Sequence, residues 1–207
     1  MPNRMIACLL ALFLPFSASA AEFEAGKDYL TIRPAQPTND PARIEVVEMF
    51  WYGCPHCFQL EPLIEEWAAK LPDDVNFLRV PAVLSPRWEL LAKAWYTAEL
   101  LGVTDRIHKA LFDEIHVKRK RINSEPALRS FFVQQGVKGE DFDNTFNSFG
   151  VAAKVNRARQ LTRNYGIRGV PSMIVEGRYR TSATEAGSHE RMLEVVDYLV
   201  EQARKQR

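Results

Sequence analysis

Two cysteines, Cys54 and Cys57, are separated only by Pro55 and His56. Thiols at this spacing can close into a small disulfide and open again, because a thiolate attacks one sulfur of a disulfide and displaces the other. The remaining cysteine of the chain is Cys8, close to the N-terminus. The spacing therefore predicts a redox centre built from a single cysteine pair.

The segments around this pair predict a strand before it and a helix after it. Residues 44–50 form an apolar, strand-like run, and residues 58–70 are helix-like. The free N–H groups at a helix N-terminus stabilise negative charge, so a thiol at this junction is favoured as a thiolate. We expect Cys54, nearer the helix start, to be the exposed nucleophile. We expect Cys57, one turn further on, to be the more buried, resolving thiol.

The two residues between the cysteines suit the same chemistry. Pro55 would occupy an early helical position, where its missing N–H costs little. The imidazole of His56, beside the sulfur, can favour the thiolate over the disulfide. Whatever stabilises the reduced form makes the oxidised form a stronger oxidant, so the quartet indicates a pair that gives its disulfide away.

A cysteine pair can also be a structural disulfide, part of a zinc site or a product of chance spacing. By the chain-entropy model, so short a loop would contribute only about 2 kcal/mol to stability. A structural zinc site needs four ligands, but there is no second cysteine pair, and His108, His116 and His189 are scattered. The strand before the pair and the helix after it argue against chance.

Val170 and Pro171 lie far away in the sequence, just ahead of a predicted strand at residues 172–175. Alone, such a proline would be an ordinary one at a strand edge, since only about one X-Pro bond in twenty is cis. Beside a Cys-x-x-Cys pair, a cis bond would instead expose the Val170 backbone to an extended peptide, as in β-augmentation. We therefore take these two residues as candidate substrate-binding residues.

Glu48 lies within the predicted strand and alternates with Val46 and Phe50, so it points to the same side as apolar residues. One interpretation is a buried carboxyl beneath Cys57 that moves protons during exchange, with a pKa raised by desolvation. The other is a strand glutamate whose side chain reaches solvent. The sequence leaves both open.

Residues 1–20 have the pattern of a secretory signal peptide, with a basic Arg4, an apolar stretch over residues 5–16 and an A-x-A cleavage site at residues 18–20. A lipid anchor on Cys8 would need the apolar stretch before it, whereas here the stretch mostly follows. Cleavage would leave equal numbers of basic and acidic side chains, so charge gives no reason to expect binding to nucleic acid or a membrane surface. We expect a soluble product in an oxidising compartment.

The fold class indicated is α/β with a helical insertion. Residues 44–50 and 75–80, with the helix between them, fit a βαβ unit. Residues 85–162 carry only helical patterns, and strand character returns after them. Residues 21–84 and 163–207 would form one sheet-bearing domain, with the helical insertion packed over it near the redox centre.

The run from Phe50 to Cys57, Phe-Trp-Tyr-Gly-Cys-Pro-His-Cys, resembles the DsbA family of the thioredoxin superfamily. The distant Val170-Pro171, the signal peptide and the helical insertion add to this resemblance, which covers essentially the whole chain after the signal peptide. It implies a thioredoxin-like fold with an inserted all-helical domain.

The resemblance also implies a function. Family members are periplasmic thiol:disulfide oxidoreductases that donate a disulfide to newly exported, reduced and unfolded proteins, and a quinone-linked membrane partner, DsbB, reoxidises them. By position, Cys54 would be the nucleophile, Cys57 the resolving thiol, Pro171 the cis-proline and Glu48 the buried acid. We expect no metal, no cofactor besides the redox-active Cys54–Cys57 disulfide, no nucleic-acid partner and a monomeric protein.

Two residues depart from the better-known members of that family. Gly53 stands where those carry a bulky aromatic, which changes the expected substrate and partner surface. Arg79 stands where a lysine is expected near the buried acid, which alters the charge balance around Glu48. Two further functions stay open: an isomerase or reductase, and a peptide-binding chaperone whose thiols are incidental. The isomerase branch usually adds an N-terminal dimerisation domain, for which residues 21–43 are too short.

Overall fold

The computed structural model describes residues 23–207. The predicted signal peptide, residues 1–20, and Cys8 within it lie outside the described residues. Within residues 23–207, no helix is both long enough and apolar enough to cross a membrane.

A five-stranded sheet forms the centre of the molecule. Its strands are β1 (Leu30–Thr31), β2 (Ile44–Phe50), β3 (Val75–Pro81), β4 (Ser172–Val175) and β5 (Tyr179–Ser182). Their order is β1-β5-β4-β2-β3. Strands β2 and β3 are parallel, as the βαβ pattern predicts, whereas the other pairs are antiparallel.

The helices flank this sheet or lie in the insertion. They are α1 (Pro55–Ala68), α2 (Glu89–Leu100), α3 (Thr104–His116), α4 (Glu125–Gln134), α5 (Gly139–Phe146), α6 (Phe149–Asn164), α7 (Ala183–Ala186) and α8 (His189–Lys205), with a short 3-10 turn at Pro86–Trp88. From residue 85 to residue 162 every regular element is helical, and α6 continues to Asn164.

Strand β2 is buried along its whole length. On one side, Val46 packs with Leu60 of α1 and with the apolar stripe of α8. On the other side, Met49 packs with Tyr165, which follows α6. A strand covered on both faces has to be mainly apolar. Glu48 is an exception: it lies on the face covered by α1 and is shielded from water.

The helical insertion shares its core with the loop that carries the cysteines. Phe112 of α3 has its ring centroid 4.9 Å from that of Tyr52 and 6.2 Å from that of Phe50. Cys54 and Cys57 belong to the same buried cluster. The insertion therefore packs directly against the redox centre.

Helix α1 differs from its predicted extent. It begins at Pro55 instead of residue 58 and ends at Ala68 instead of residue 70. The early start arises because proline has a backbone φ suited to the first helical position and no N–H to leave unpaired there. As a result, Cys54 itself is the residue that caps the helix.

Truncation of Phe112 tests the packing between the insertion and the redox loop. We expect Phe112→Ala to lower the free energy of unfolding by about 3–5 kcal/mol, since it leaves a cavity in a close-packed core. The side chain is 1% exposed. Chemical denaturation measures the change, and Leu100→Ala is the control because Leu100 is 46% exposed. Equal losses in the two variants would contradict the shared core.

Candidate active site

Cys54 lies at the N-terminus of α1, with an extended backbone at φ −93° and ψ 118°. Its N–H donates to the carbonyl of Trp51 at 2.9 Å, and its own carbonyl accepts the N–H of Phe58 at 3.2 Å. Cys54 and Cys57 are both free thiols in this structure. The backbone therefore holds Cys54 at the point where the first N–H groups of the helix are free to bind a negative charge.

The surroundings of Cys54 stabilise its thiolate. Hydrogen bonds from the Cys57 thiol and from the N–H groups of Cys57 and His56, together with the His56 charge, lower the pKa of Cys54 to about 6, against the opposing effect of burial. Cys54 is 9% exposed, so the predicted nucleophile is largely covered. It nevertheless remains the more accessible of the pair, because Cys57 is fully buried.

Cys57 behaves in the opposite way. Burial, the neighbouring Cys54 and the charge of Glu48 raise the pKa of Cys57 well above that of a free cysteine. A buried thiol of this kind keeps its proton until the exchange reaction takes it. The two sulfurs are therefore chemically unequal, as a nucleophile and a resolving thiol need to be.

The chain brings Val170 and Pro171 to the cysteines from 116 residues away. The Val170–Pro171 peptide bond is cis. The Cys54 Sγ atom lies 3.3 Å from the Val170 carbonyl oxygen, to which it can donate only as a protonated thiol. Beside these residues lies a groove that His56, Val170, Pro171 and His189 help to line. An extended peptide in this groove would lie against the Val170 backbone, whose carbonyl oxygen is 3.3 Å from the Cys54 sulfur.

Glu48 is fully buried, so the alternative in which its side chain reaches solvent is wrong. Arg79 Nε donates to Glu48 Oε2 at 3.1 Å, and Arg79 Nη2 lies 3.5 Å from Glu61 Oε2. Burial and the Glu61 carboxylate raise the pKa of Glu48, whereas Arg79 opposes this shift. Glu48 therefore keeps its proton to a higher pH than an ordinary glutamate does.

Sequence reasoning missed two buried residues of this cluster, Glu61 and His108. Glu61 lies one turn beyond Cys57 on α1, and His108 lies on α3 with its Nε2 atom 3.1 Å from Glu61 Oε2. The signal available was the position of His108 beside Ile107 and Leu111 on the apolar stripe of a predicted helix. A polar residue on such a stripe needs a buried partner.

The zinc alternative finds no support in the described part of the chain. Residues 23–207 contain no group of three or more His, Cys, Asp or Glu side chains placed to hold a metal ion. Instead, His108 is hydrogen-bonded to Tyr52 and Glu61, and the His116 Nε2 atom lies 2.7 Å from the Tyr52 carbonyl oxygen.

The absence of a side chain at Gly53 is explained by Trp51. A Cβ atom at Gly53 would collide with the Trp51 indole ring. That ring stacks on Trp88 with 4.2 Å between ring centroids. The Trp51 ring therefore occupies the space that a side chain at residue 53 would need.

The pKa of Cys54 gives a direct test of this geometry. The largest cause of its lowered pKa is the hydrogen bond from Cys57, so Cys57→Ala should raise the midpoint of the thiolate absorbance from about 6 toward the ordinary value of 9.0. Cys57→Ser keeps a hydroxyl donor and should give a smaller rise. An unchanged midpoint in Cys57→Ala would contradict the hydrogen bond.

The same shift predicts how stability depends on pH. A group whose pKa is lower in the folded state stabilises the fold above its unfolded pKa, and this stabilisation is lost as pH falls through the folded pKa. Relative to a Cys54→Ser variant, the reduced protein should therefore gain thermal stability between pH 6 and pH 9, the interval between the two pKa values of Cys54. Melting temperatures of both proteins across this interval measure the effect, and a constant difference would contradict it.

Known proteins resemble this chain over most of its length. Residues 64–195 match the family model described as a DSBA-like thioredoxin domain. The chain is 38% identical over 206 residues to the thiol:disulfide interchange protein DsbA of Pseudomonas aeruginosa, covering 99% of this chain and 98% of that protein. It is 41% identical over 207 residues to DsbA of Pseudomonas syringae pv. tomato, covering 99% and 97%.

Solved structures show the same relationship. The crystal structure of Pseudomonas aeruginosa DsbA matches with a TM-score of 0.85 at 39% identity, covering 89% of this chain and 96% of that one. That of the oxidoreductase DsbA from Xylella fastidiosa matches with a TM-score of 0.81 at 34% identity, covering 87% and 97%. The chain therefore belongs to the DsbA family, as a thiol:disulfide oxidoreductase with a thioredoxin fold and a helical insertion.

Proposed function

We propose that this protein is a monomeric periplasmic dithiol oxidase that donates its Cys54–Cys57 disulfide to newly exported, reduced proteins. The observation that carries the proposal is the lowered pKa of Cys54 at the N-terminus of α1. A stabilised thiolate favours the reduced form of the pair, so the oxidised form readily gives its disulfide away. A reductase would instead need a cysteine pair whose disulfide form is the more stable one.

The exchange would proceed in two displacement steps. A client thiolate attacks the Cys54 sulfur, the Cys54–Cys57 bond breaks, and Cys57 leaves with the electron pair and takes up a proton. A second client thiolate then attacks the client sulfur of the mixed disulfide, and Cys54 leaves as a thiolate. The client loses two electrons and the cysteine pair gains them.

The groove supports attack at Cys54 and not at Cys57. Cys57 is fully buried, whereas the Cys54 sulfur lies 3.3 Å from the carbonyl oxygen of Val170, one of the residues that line the groove. An extended client could pair with the Val170 backbone and present its own sulfur there. The mixed disulfide joins the client sulfur to Cys54. Of these two sulfurs, Cys54 is the better leaving group, so the second step releases the client.

Glu48 would act on the proton of Cys57. The negative charge of Glu48 raises the pKa of Cys57, so the two groups are electrostatically linked. An acid that keeps its proton to a higher pH can give it to the departing Cys57 thiolate in the first step. Pro55 and His56 would act on Cys54: Pro55 begins the helix, and the N–H and imidazole of His56 stabilise the thiolate.

The compartment and the reoxidising partner are part of the same proposal. The signal peptide predicted at residues 1–20 supports export, and a disulfide donor works where thiols are not kept reduced. The reduced pair would return its two electrons to a membrane partner of the DsbB type, which passes them to a quinone. No cofactor besides the cysteine pair is needed for the steps above.

Substitution of each cysteine tests the proposal. With a reduced, unfolded client, Cys54→Ala should lower the rate of thiol loss to the uncatalysed level, since it removes the sulfur that the client attacks. Cys57→Ala should instead accumulate a mixed disulfide after attack by its free Cys54 on an oxidised client, because the resolving thiol is missing. Thiol quantification and non-reducing electrophoresis measure the two results.

Two outcomes would contradict the oxidase. Persistent oxidation by Cys54→Ala would exclude the nucleophile. An equilibrium titration in which the pair holds its disulfide more tightly than glutathione does would indicate a reductase. The chaperone alternative would gain support if a Cys54→Ala, Cys57→Ala double variant bound unfolded chains with undiminished affinity while client oxidation in the wild-type protein stayed at background.

A further inference from the structure

His108 links the helical insertion to the buried acids of the redox centre. Its Nδ1 atom lies 3.0 Å from the Tyr52 hydroxyl, and its Nε2 atom lies 3.1 Å from Glu61 Oε2. The residue is 6% exposed and packs edge-on against Phe50, Trp95 and Phe112. Both ring nitrogens are therefore engaged inside an otherwise apolar core.

The chain of contacts continues from Glu61 to Glu48. Arg79 is shared, with Nε donating to Glu48 Oε2 and Nη2 lying near Glu61 Oε2. Among the described residues, Glu48 Oε1 and Glu61 Oε1 have no hydrogen-bond partner. Each carboxyl group thus depends on very few donors. Among the described residues, Arg79 and His108 are the donors to Glu61.

The charges of this cluster are unbalanced. Glu48 and Glu61 can carry two negative charges, and Arg79 carries one positive charge. The groups that face Glu48 are Arg79 from β3 and Glu61 and Cys57 from α1, while His108 from α3 and Tyr52 from the active-site loop lie beyond Glu61. One proton on Glu48 brings the net charge of Glu48, Glu61 and Arg79 to zero.

We propose that His108 is a positioning residue: by donating to Glu61 it leaves Arg79 free to stabilise the carboxylate of Glu48. Without that donor, Glu61 draws Arg79 toward itself, and Glu48 keeps its proton to a higher pH. The proposal rests on the proposed function, in which Glu48 gives a proton to Cys57. The insertion would thereby tune the chemistry of a cysteine pair to which it contributes no reacting group.

The proposal bears on the proton that Cys57 takes up in the first displacement step. When Cys57 leaves the Cys54 sulfur, it takes the proton of Glu48, and the carboxylate that remains is stabilised by Arg79. Water returns the proton to Glu48 once the client has left. Two electrons pass from the client to the cysteine pair, so no further oxidant is required.

The two amide variants of His108 separate its two hydrogen bonds. The amide of an asparagine lies near the position of Nδ1 and can reach Tyr52, whereas that of a glutamine lies near Nε2 and can reach Glu61. We expect His108→Asn to raise the titration midpoint of Glu48 by about 0.5–1 pH unit, through loss of a hydrogen bond to a charged group. His108→Gln should stay near the wild-type midpoint.

Infrared spectroscopy of the reduced protein measures this midpoint directly from the carboxylic-acid C=O band. The band of Glu48 is assigned by its disappearance in Glu48→Gln. His108→Phe keeps the ring volume within the aromatic cluster and lacks a donor, so it should shift the midpoint as His108→Asn does. It also provides the test if His108→Asn does not fold.

His116→Gln is the matched control. His116 lies on the same helix and contacts the Tyr52 carbonyl, whereas the polar partners of Glu61 among the described residues are Arg79 and His108. Its substitution should leave the Glu48 midpoint in place. In a Glu61→Gln background, His108→Asn should have no further effect, because the proposed influence passes through Glu61.

Three results would overturn the proposal. These are an unchanged or lowered Glu48 midpoint in both His108→Asn and His108→Phe, an equal shift in His116→Gln, and a full shift of His108→Asn in the Glu61→Gln background. The infrared readout does not depend on client oxidation. A failed oxidase assay with the expected shift would therefore reject the proposed function alone, whereas an active oxidase without the shift would reject the role of His108 alone.

Discussion

The stabilisation of one thiolate at one helix end is the interaction on which the chemistry of this protein depends. Cys54 caps α1, and the thiol of Cys57, the N–H groups of Cys57 and His56 and the charge of His56 all act on its sulfur. In the disulfide form the Cys54 sulfur carries no charge, so these groups no longer stabilise it. The same helix turn that orients Cys54 buries Cys57, so one local structure makes the two sulfurs unequal.

The rest of the fold serves to hold that helix end against two distant segments. The antiparallel pairing of β2 with β4 brings the loop before α1 close to the start of β4, where the Val170 carbonyl lies near the Cys54 sulfur. On the opposite side, the insertion packs aromatic side chains against Phe50 and Tyr52. The insertion also contacts the buried acids near Cys57 directly, since the His108 Nε2 atom lies 3.1 Å from Glu61 Oε2.

The buried acids show how a charged cluster is tolerated in a core. Glu48 and Glu61 lie near the cysteines with a single arginine between them, and removing charged groups from water is costly unless partners compensate. An arginine can contact both carboxyl groups at once, because its planar fork presents several donors, whereas a lysine has a compact charge. The replacement noted at Arg79 is therefore compatible with a shared ion pair, and the Glu61–His108 contact extends the same network into the insertion.

Much of the molecule could be predicted from local sequence. The Cys-Pro-His-Cys quartet, the strand at 44–50, the helix after it and the helical stretch that follows each leave a pattern within a few neighbouring residues, since helix period, strand character and turn chemistry are local properties. Only the tertiary structure decided that Glu48 is buried and that Val170 contacts Cys54. It also decided that Trp51 fills the space at Gly53 and that His108 contacts Glu61. These depend on which distant side chains are brought together, and a linear pattern carries no record of distance across a fold. The sequence by itself therefore determined the reaction chemistry and the fold class, and only the packing of the chain decided which groups surround the cysteine pair.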